Sequence, residues 1–467
     1  MLVSLMICIA ATDVFADYVL DENHSQILIP KTYEVNKIIK NLGNAGFMND
    51  PQDVFIDHKD NIYIADTGNN RILKLNPEGE VVKVFDKADG VPFNSPQGVF
   101  VDQEDNIWVG DTGNQRIATL YPDGTDRKIY TRPDSNLLGD NFIFDPSKIY
   151  VNSVGYIYIL KGSTLMSIDE NNNFRGFIGA NKVNFSLARA LIRMFGTRSQ
   201  RDRTAKPEPD AYTNFTIGKD GMIYGTVVSS ENGEQIRKFN PVGNNVYPSA
   251  PFGYYGEIYV GDGTILPPSF VDIAVQDNGI ITAVEKNNCK IYQYDQSGNL
   301  ITVFGGRGAT KGTFQVPSAI DVDSQGNIYL LDSSTGILQK YEPTDFIKLV
   351  HQAIFLEEEG RYDEAMNYWT QVLKIDANYA LAHKGVGKLY YKQENWEDSM
   401  GSYFAADDKV GYSKAYKEYR HKFFRKNFPV IVLLVAVLAA GFITVFIKLK
   451  RKADYLAHHL EYDDITI

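Results

Sequence analysis

Residues 51–77 read PQDVFIDHKDNIYIADTGNNRILKLNP, and residues 96–122 read PQGVFVDQEDNIWVGDTGNQRIATLYP, the same pattern displaced by 45 positions. Each copy holds two alternating runs of β-branched or aromatic residues around a D-N turn, then a third run after T-G-N. Period-2 alternation between such turns reads as short antiparallel strands. A period of about 45 residues with room for four strands is the spacing of one propeller blade.

Weaker copies follow at 146–169 (PSKIYVNSVGYIYILKGSTLMSID), 213–240, 268–295 (PSFVDIAVQDNGIITAVEKNNCKIYQYD) and 317–341 (PSAIDVDSQGNIYLLDSSTGILQKY). Six copies predict an all-β six-bladed β-propeller over 17–343. The last copy supplies three strands and stops before Pro343. The strand-like YEVNKIIK at 33–40 is therefore expected to complete that blade, closing the ring and hiding both sheet edges.

The shared pattern, running from P-x-x-V-x-V-D through N-I-Y-V-x-D-T-G-N-N-R-I, resembles the NHL repeat over residues 33–341. The resemblance implies that the Asp and Arg of a repeat tie neighbouring strands together. In this chain they are Asp66 with Arg71 and Asp111 with Arg116, expected as framework. Glu285 and Lys290 occupy the matching places in the fifth copy, and the third lacks the charged pair.

Two segments depart from the blade pattern. An insert at 182–209 carries Phe185, Ala188, Leu191, Ile192 and Phe195 at helical spacing, with Arg189 and Arg193 on another face. From Arg189 to Lys206 it holds six basic residues and one acidic, in a chain whose net charge is -11. Such a helix binds an anionic membrane surface or a partner groove, or packs as a lid with solvated arginines. The loop NVYPSAPFGYYGE at 245–257 clusters Tyr247, Phe252, Tyr254 and Tyr255, either as a platform for a glycan or partner, or as packing between blades.

From Thr344 the period becomes helical. At a 34-residue offset Ala353 falls over Gly387, Leu356 over Tyr390, Tyr362 over Trp396, Ala365 over Ser399 and Trp369 over Tyr403. Small and aromatic residues in these places resemble tetratricopeptide (TPR) repeats, covering about 346–413 of an α-helical segment at 344–427. Small residues let paired helices approach while aromatics fill the space between them.

Two apolar segments bear on location. Residues 1–16, MLVSLMICIAATDVFA, match a signal-peptide apolar region, with Val14, Phe15 and Ala16 ahead of a cleavage point. Within 428–447, Val430 to Ile447 is uncharged and long enough at about 1.5 Å per residue to cross a bilayer core. Basic residues flank both ends, so charge bias alone does not orient it. A signal peptide would place 17–428 outside and the tail 448–467 inside. Only Cys8 and Cys289 are present, a usage common in exported bacterial proteins.

Chemistry is sparse. Of the seven histidines only His58 lies in a propeller repeat, so a multi-histidine zinc site cannot be assembled. No nucleophile elbow, phosphate-binding glycine loop or metalloprotease helix is present. The acidic charge argues against nucleic acid as a partner. The combination favours a membrane-anchored, extracytoplasmic binding or scaffold protein. It would have no catalytic residues, metal site or cofactor, with a single structural calcium left open by the many oxygen ligands. Its partners would be envelope or carbohydrate-transport proteins, engaged through the insert and the TPR-like helices. The alternatives are a calcium-dependent hydrolase or lyase with its site at the channel mouth, and a glycan-binding module.

Overall fold

The computed structural model describes residues 17–463 apart from 22–24, 136, 140, 180–210, 228–234, 241–245, 247–256, 259–264 and 267–268. The chain divides into two compact units, residues 1–377 and 378–467.

The first unit contains a six-bladed β-propeller. Blade I is Asp53–Ile56, Ile62–Asp66, Arg71–Leu75 and Val81–Phe85, paired in that order. Blade II repeats it with Gly98–Val101, Ile107–Asp111, Arg116–Leu120 and Asp126–Tyr130. Blade III runs Pro146–Val151, Ile157–Lys161, Thr164–Ile168 and Phe174–Phe177. Blade IV shows three described strands, Tyr212–Ile217, Ile223–Val227 and Ile236–Phe239. A small hairpin, Glu257–Ile258 with Ile265–Leu266, follows it. Blade V is Phe270–Val275, Ile281–Glu285, Lys290–Tyr294 and Leu300–Phe304.

Blade VI joins the two ends of the ring. Pro317–Val322, Ile328–Asp332 and Ile337–Pro343 are completed by Tyr33–Ile39, which pairs antiparallel with the third strand from Pro343↔Tyr33 to Leu338↔Ile39. The N-terminal segment also does something the sequence did not announce. Tyr18–Leu20 adds to the outer strand of blade V, and Gln26–Leu28 adds to Tyr18–Leu20, so that blade has six strands. Two three-residue runs are too short for alternation to be recognised.

The core lies between blades. Ile62, Ile64 and Leu73 of blade I pack with Ala319, Leu331 and Leu338 of blade VI. Tyr63 and Ile72, on the opposite face of blade I, pack with Val99 and Val109 of blade II. The second strand of each blade is buried on both faces, which explains its nearly continuous apolar run.

The turns are built by one device used five times. In Asp57/Asn61, Asp102/Asn106, Asp169/Asn173, Asp295/Asn299 and Asp323/Asn327 the Asp accepts the backbone N–H of the Asn four residues on, at 2.8–2.9 Å. The Asn side chain closes the same turn onto the second carboxylate oxygen. A carboxylate that satisfies local N–H groups favours the turn over continued strand. Hydroxyls then stitch blade to blade: Thr67 donates to the Pro96 carbonyl (2.6 Å), Thr112 to that of Pro146 (2.7 Å) and Ser318 to that of Pro51 (2.8 Å).

Two helices close the first unit, α1 (Asp345–Glu358) and α2 (Tyr362–Ile375). The second unit holds α3 (Ala380–Lys392), α4 (Trp396–Ala405) and α5 (Lys409–Asp463), the last of 55 residues with Pro429 inside it. Ala353, Leu356, Ala365 and Trp369 are buried in α1 and α2. In the second unit Gly387 leaves room for the Tyr403 ring, which a Cβ would meet at 3.0 Å, and Ser399 donates to the Gly387 carbonyl at 2.8 Å.

Candidate functional site

The six innermost strands carry different residues at equivalent places. Counted from Pro51, Pro96, Pro146, Tyr212, Phe270 and Pro317, the third residue is Asp53, Gly98, Lys148, Asn214, Asp272 and Ala319, and the fifth is Phe55, Phe100, Tyr150, Thr216, Ala274 and Asp321. Reach across the ring shows that these positions line its axis. Lys148 Nζ of blade III lies 2.5 Å from Asp53 Oδ1 of blade I. Phe100 contacts Phe55 edge-on with centroids 5.0 Å apart, and Tyr150 at 4.6 Å. Blades I to III thus fill their side of the channel with aromatic rings, beside a charged quartet of Asp53, Lys148, Asp272 and Asp321.

Each carboxylate in the quartet also bridges blades. Asp53 Oδ2 accepts the Val99 N–H (2.9 Å), Asp272 Oδ2 that of Ile320 (2.8 Å) and Asp321 Oδ2 that of Ile56 (2.7 Å). The remaining oxygens of Asp272 and Asp321 accept the N–H of Ile273 and Val322, both at 2.8 Å. All six oxygens are satisfied within the fold, the arrangement expected of buried polar groups.

Electrostatics sets the charge of the cluster. Burial pushes the Asp321 carboxyl up to about 7, against the two backbone N–H groups and Lys148. Asp272 is pushed up to about 6 by burial, with Asp53 adding to it and Lys148 opposing. Burial also works against the charge on Lys148. Asp272, Asp53 and Asp321 outweigh it and hold the amine well above the usual lysine range. A permanent cation therefore faces carboxyls that titrate near neutrality. Among the described residues no three His, Cys, Asp or Glu side chains converge as metal ligands would.

The quartet was missed in the sequence, which pointed away from the channel. A signal for it exists: charged residues interrupt apolar inner strands in QDVFI, SKIYV and FVDIAV.

A second buried network lies farther out. His351 of α1 places Nε2 3.1 Å from Gln293 Oε1 in blade V. Gln293 Nε2 donates to the Tyr33 hydroxyl (2.9 Å) and to Thr282 Oγ1 (3.0 Å). Nearby, Thr32 meets Thr302 at 3.1 Å and donates its N–H and hydroxyl to Asp17 Oδ2, each at 2.5 Å. Burial pushes His351 down to about 3 and raises Asp17 above the usual carboxylate range.

Asp66 with Arg71 and Asp111 with Arg116 form ion pairs. Arg71 Nε lies 2.7 Å from Asp66 Oδ2 and Arg116 Nε 2.6 Å from Asp111 Oδ2. The other oxygen of each Asp accepts the N–H of Asn49 or Asn94 in the loop entering the blade. Both arginines also donate to carbonyls of those loops, those of Phe47 and Val91. His58 stands 3.7 Å from Asp105, beside Lys59. Cys289 is buried with Sγ 3.4 Å from the Gln315 carbonyl, and burial pushes its thiol up to about 11, a packed group rather than a nucleophile.

The insert residues Phe185, Arg189, Leu191, Ile192, Arg193 and Phe195 lie outside the described residues. So do Tyr247, Phe252, Tyr254 and Tyr255 of the aromatic loop, and the segment 1–16.

The NHL repeat family model matches residues 93–120, which include the first three strands of blade II. No curated protein matches the sequence. Among solved structures the chain is similar to a streptogramin B lyase, at 14% identity and TM-score 0.41, over 71% of this chain and 87% of that one. It is similar to a gluconolactonase from Xanthomonas campestris at 12% identity and TM-score 0.42, over 67% and 95%. A protein of unknown function from Bacteroides thetaiotaomicron gives 13% identity and TM-score 0.44, over 68% and 78%. The strand pairing makes the chain a six-bladed β-propeller, with an NHL repeat match in its second blade, followed among the described residues by five helices.

Proposed function

We propose that this protein is a membrane-anchored binding protein. In this reading the propeller and paired helices present surfaces on the extracytoplasmic side, and α5 crosses the bilayer with the tail from Lys448 inside. The observation that carries it is the exposure of Val430 to Ile447. The apolar window of α5 has a mean hydropathy of 3.1 and none of it is buried in the protein. An apolar helix of that length with no polar face is unstable in water and has the length of a bilayer core.

Two further observations support binding over catalysis. The channel carboxylates already use every oxygen on backbone or lysine partners. The helical hairpins repeat at a 34-residue offset down to their turns, which supports the TPR reading: α1 and α3 end at Glu358 and Lys392, α2 and α4 begin at Tyr362 and Trp396. TPR-like pairs and a propeller both offer broad surfaces to protein partners. Partners in a cell-envelope assembly, such as a carbohydrate transport complex, fit that placement.

The test is membrane extraction of the full chain. The protein should resist high salt and alkaline carbonate and be released by detergent. Leu434→Arg with Leu438→Arg, costing about 2.5–3.5 kcal/mol each at a helix centre, should shift it to the soluble or degraded fraction. Release of the parent by carbonate alone would refute the anchor.

One observation favours a second reading, a hydrolase or lyase at the channel mouth: Asp321 is half-buried and titrates near neutrality. A bound divalent ion in the purified protein, or a melting temperature lowered by chelator, would support it over binding.

A further inference from the structure

The anchoring helix is bracketed by charge. Before the apolar run, Lys414, Lys417, Arg420, Lys422, Arg425 and Lys426 all stand exposed on α5, with Glu418 as the one acidic residue among them. After it come Lys448, Lys450, Arg451 and Lys452, again exposed. Among the described residues, Lys422, Arg425 and Lys426 have no carboxylate partner; Glu418 is taken by His421 at 3.9 Å. The chain as a whole is acidic, with a net charge of -11, so these two collars run against its composition.

Their spacing is specific. At about 1.5 Å per residue, roughly 33 Å of helix separates Lys426 from Lys448, close to the ~30 Å of a hydrocarbon core. The headgroup layer adds about 5–7 Å on each side, which takes in Arg425 and Lys426 on one side and Lys448 to Lys452 on the other. Aromatic rings sit at the same level: Phe423, Phe424 and Phe428 are each at least half exposed. Amphipathic and aromatic side chains at a membrane boundary anchor a helix vertically, while cations there meet lipid phosphates.

We infer that the two basic collars of α5 recruit anionic lipid headgroups, so that the protein carries a shell of acidic lipid in both leaflets. This rests on the anchoring reading above. The ligand class is the acidic phospholipid, recognised by charge-assisted contact of lysine and arginine with headgroup phosphate.

The test uses the full chain reconstituted in phosphatidylcholine vesicles with traces of spin-labelled lipid. The fraction of label slowed at the protein surface is compared for phosphatidylglycerol and phosphatidylcholine labels. The acidic label should associate about twofold or more strongly, and the preference should vanish in high salt. It should also fall in Lys422→Gln, Arg425→Gln, Lys426→Gln, with carbonate resistance unchanged. Equal association of the two labels with the parent would overturn the inference and leave the anchor standing, as would a preference untouched by the triple substitution. Failure to slow either label, with no flotation on vesicles, would remove the anchor and the inference together.

Discussion

His351 Nε2 and Gln293 Oε1, 3.1 Å apart, join the first helix after the propeller to the third strand of blade V. The Gln293 amide nitrogen is committed to Tyr33 and Thr282, so its oxygen faces the imidazole. His351 Nε2 must then be the donor, which assigns the neutral Nε2–H tautomer. No second acceptor is needed for a neutral ring, and burial excludes the charged one.

Acid should loosen this contact. His351 falls from its ordinary 6.5 to about 3 in the folded protein, so the unfolded chain binds the extra proton. Its contribution is complete above pH 6.5 and is lost as pH falls toward 3. His351→Gln keeps a donor but cannot titrate. Urea midpoints of parent and variant should therefore converge or cross as pH is lowered from 7 to 4.5; a constant difference across that range would contradict the assignment.

The channel carboxyls should give the opposite slope. Asp272 and Asp321 titrate at about 6 and about 7 in the folded protein against an ordinary 3.8, so the folded state binds the extra protons. Their favourable contribution is complete below about pH 4 and is lost as pH rises through 6 to 7. Asp321→Asn removes the charge and keeps an acceptor for one of the two N–H groups, Ile56 or Val322, that the carboxylate serves. It should raise the melting temperature at pH 8 and change it little at pH 5. A loss at pH 8 would show that the ionised form is the stabilising one.

Lys148 holds the quartet together. Lys148→Met leaves Asp53 and Asp272 as uncompensated buried acids, which typically costs about 3–5 kcal/mol. Adding Asp53→Asn to Lys148→Met should recover part of the loss, because one buried charge goes with its partner. Chemical denaturation of the parent, both single variants and the double variant measures the coupling. Additive losses would mean that the 2.5 Å contact carries no net interaction.

Much of this was legible because repeats report their own geometry. The D-N turns and the T-G-N run recur where local hydrogen bonds dictate them, so the blade count followed from the repeats, while the Asp–Arg pairs were implied by the resemblance to the NHL repeat. The alternation in YEVNKIIK likewise marked a strand, and Tyr33–Ile39 is one. The quartet was hidden by the same regularity. Asp53 and Lys148 are far apart in sequence and meet only because the ring closes, and each alone looks like an ordinary turn-flanking charge. His351 lies outside the propeller repeats, and nothing local signals that Gln293 would face it. The hairpin at Tyr18–Leu28 is held by pairing to blade V, a long-range contact that no short window contains.

The hairpin turns offer a test of the helical repeat itself. Gly360 after α1 and Glu394 after α3 occupy the same place 34 residues apart, and both have positive φ, 74° and 58°. Their neighbours bond alike: Arg361 N–H to the Leu356 carbonyl at 2.8 Å, Asn395 N–H to that of Tyr390 at 3.0 Å. A left-handed backbone costs a non-glycine residue roughly 1 kcal/mol, a penalty that Gly360 avoids and Glu394 bears. Glu394→Gly should therefore stabilise its hairpin by about 0.5–1 kcal/mol, and Gly360→Ala should destabilise by about 1 kcal/mol. Thermal melting of the two variants in detergent checks both signs. If Glu394→Gly destabilised the protein, its side chain would have to serve a contact that outweighs the strain, and the two turns would no longer be equivalent.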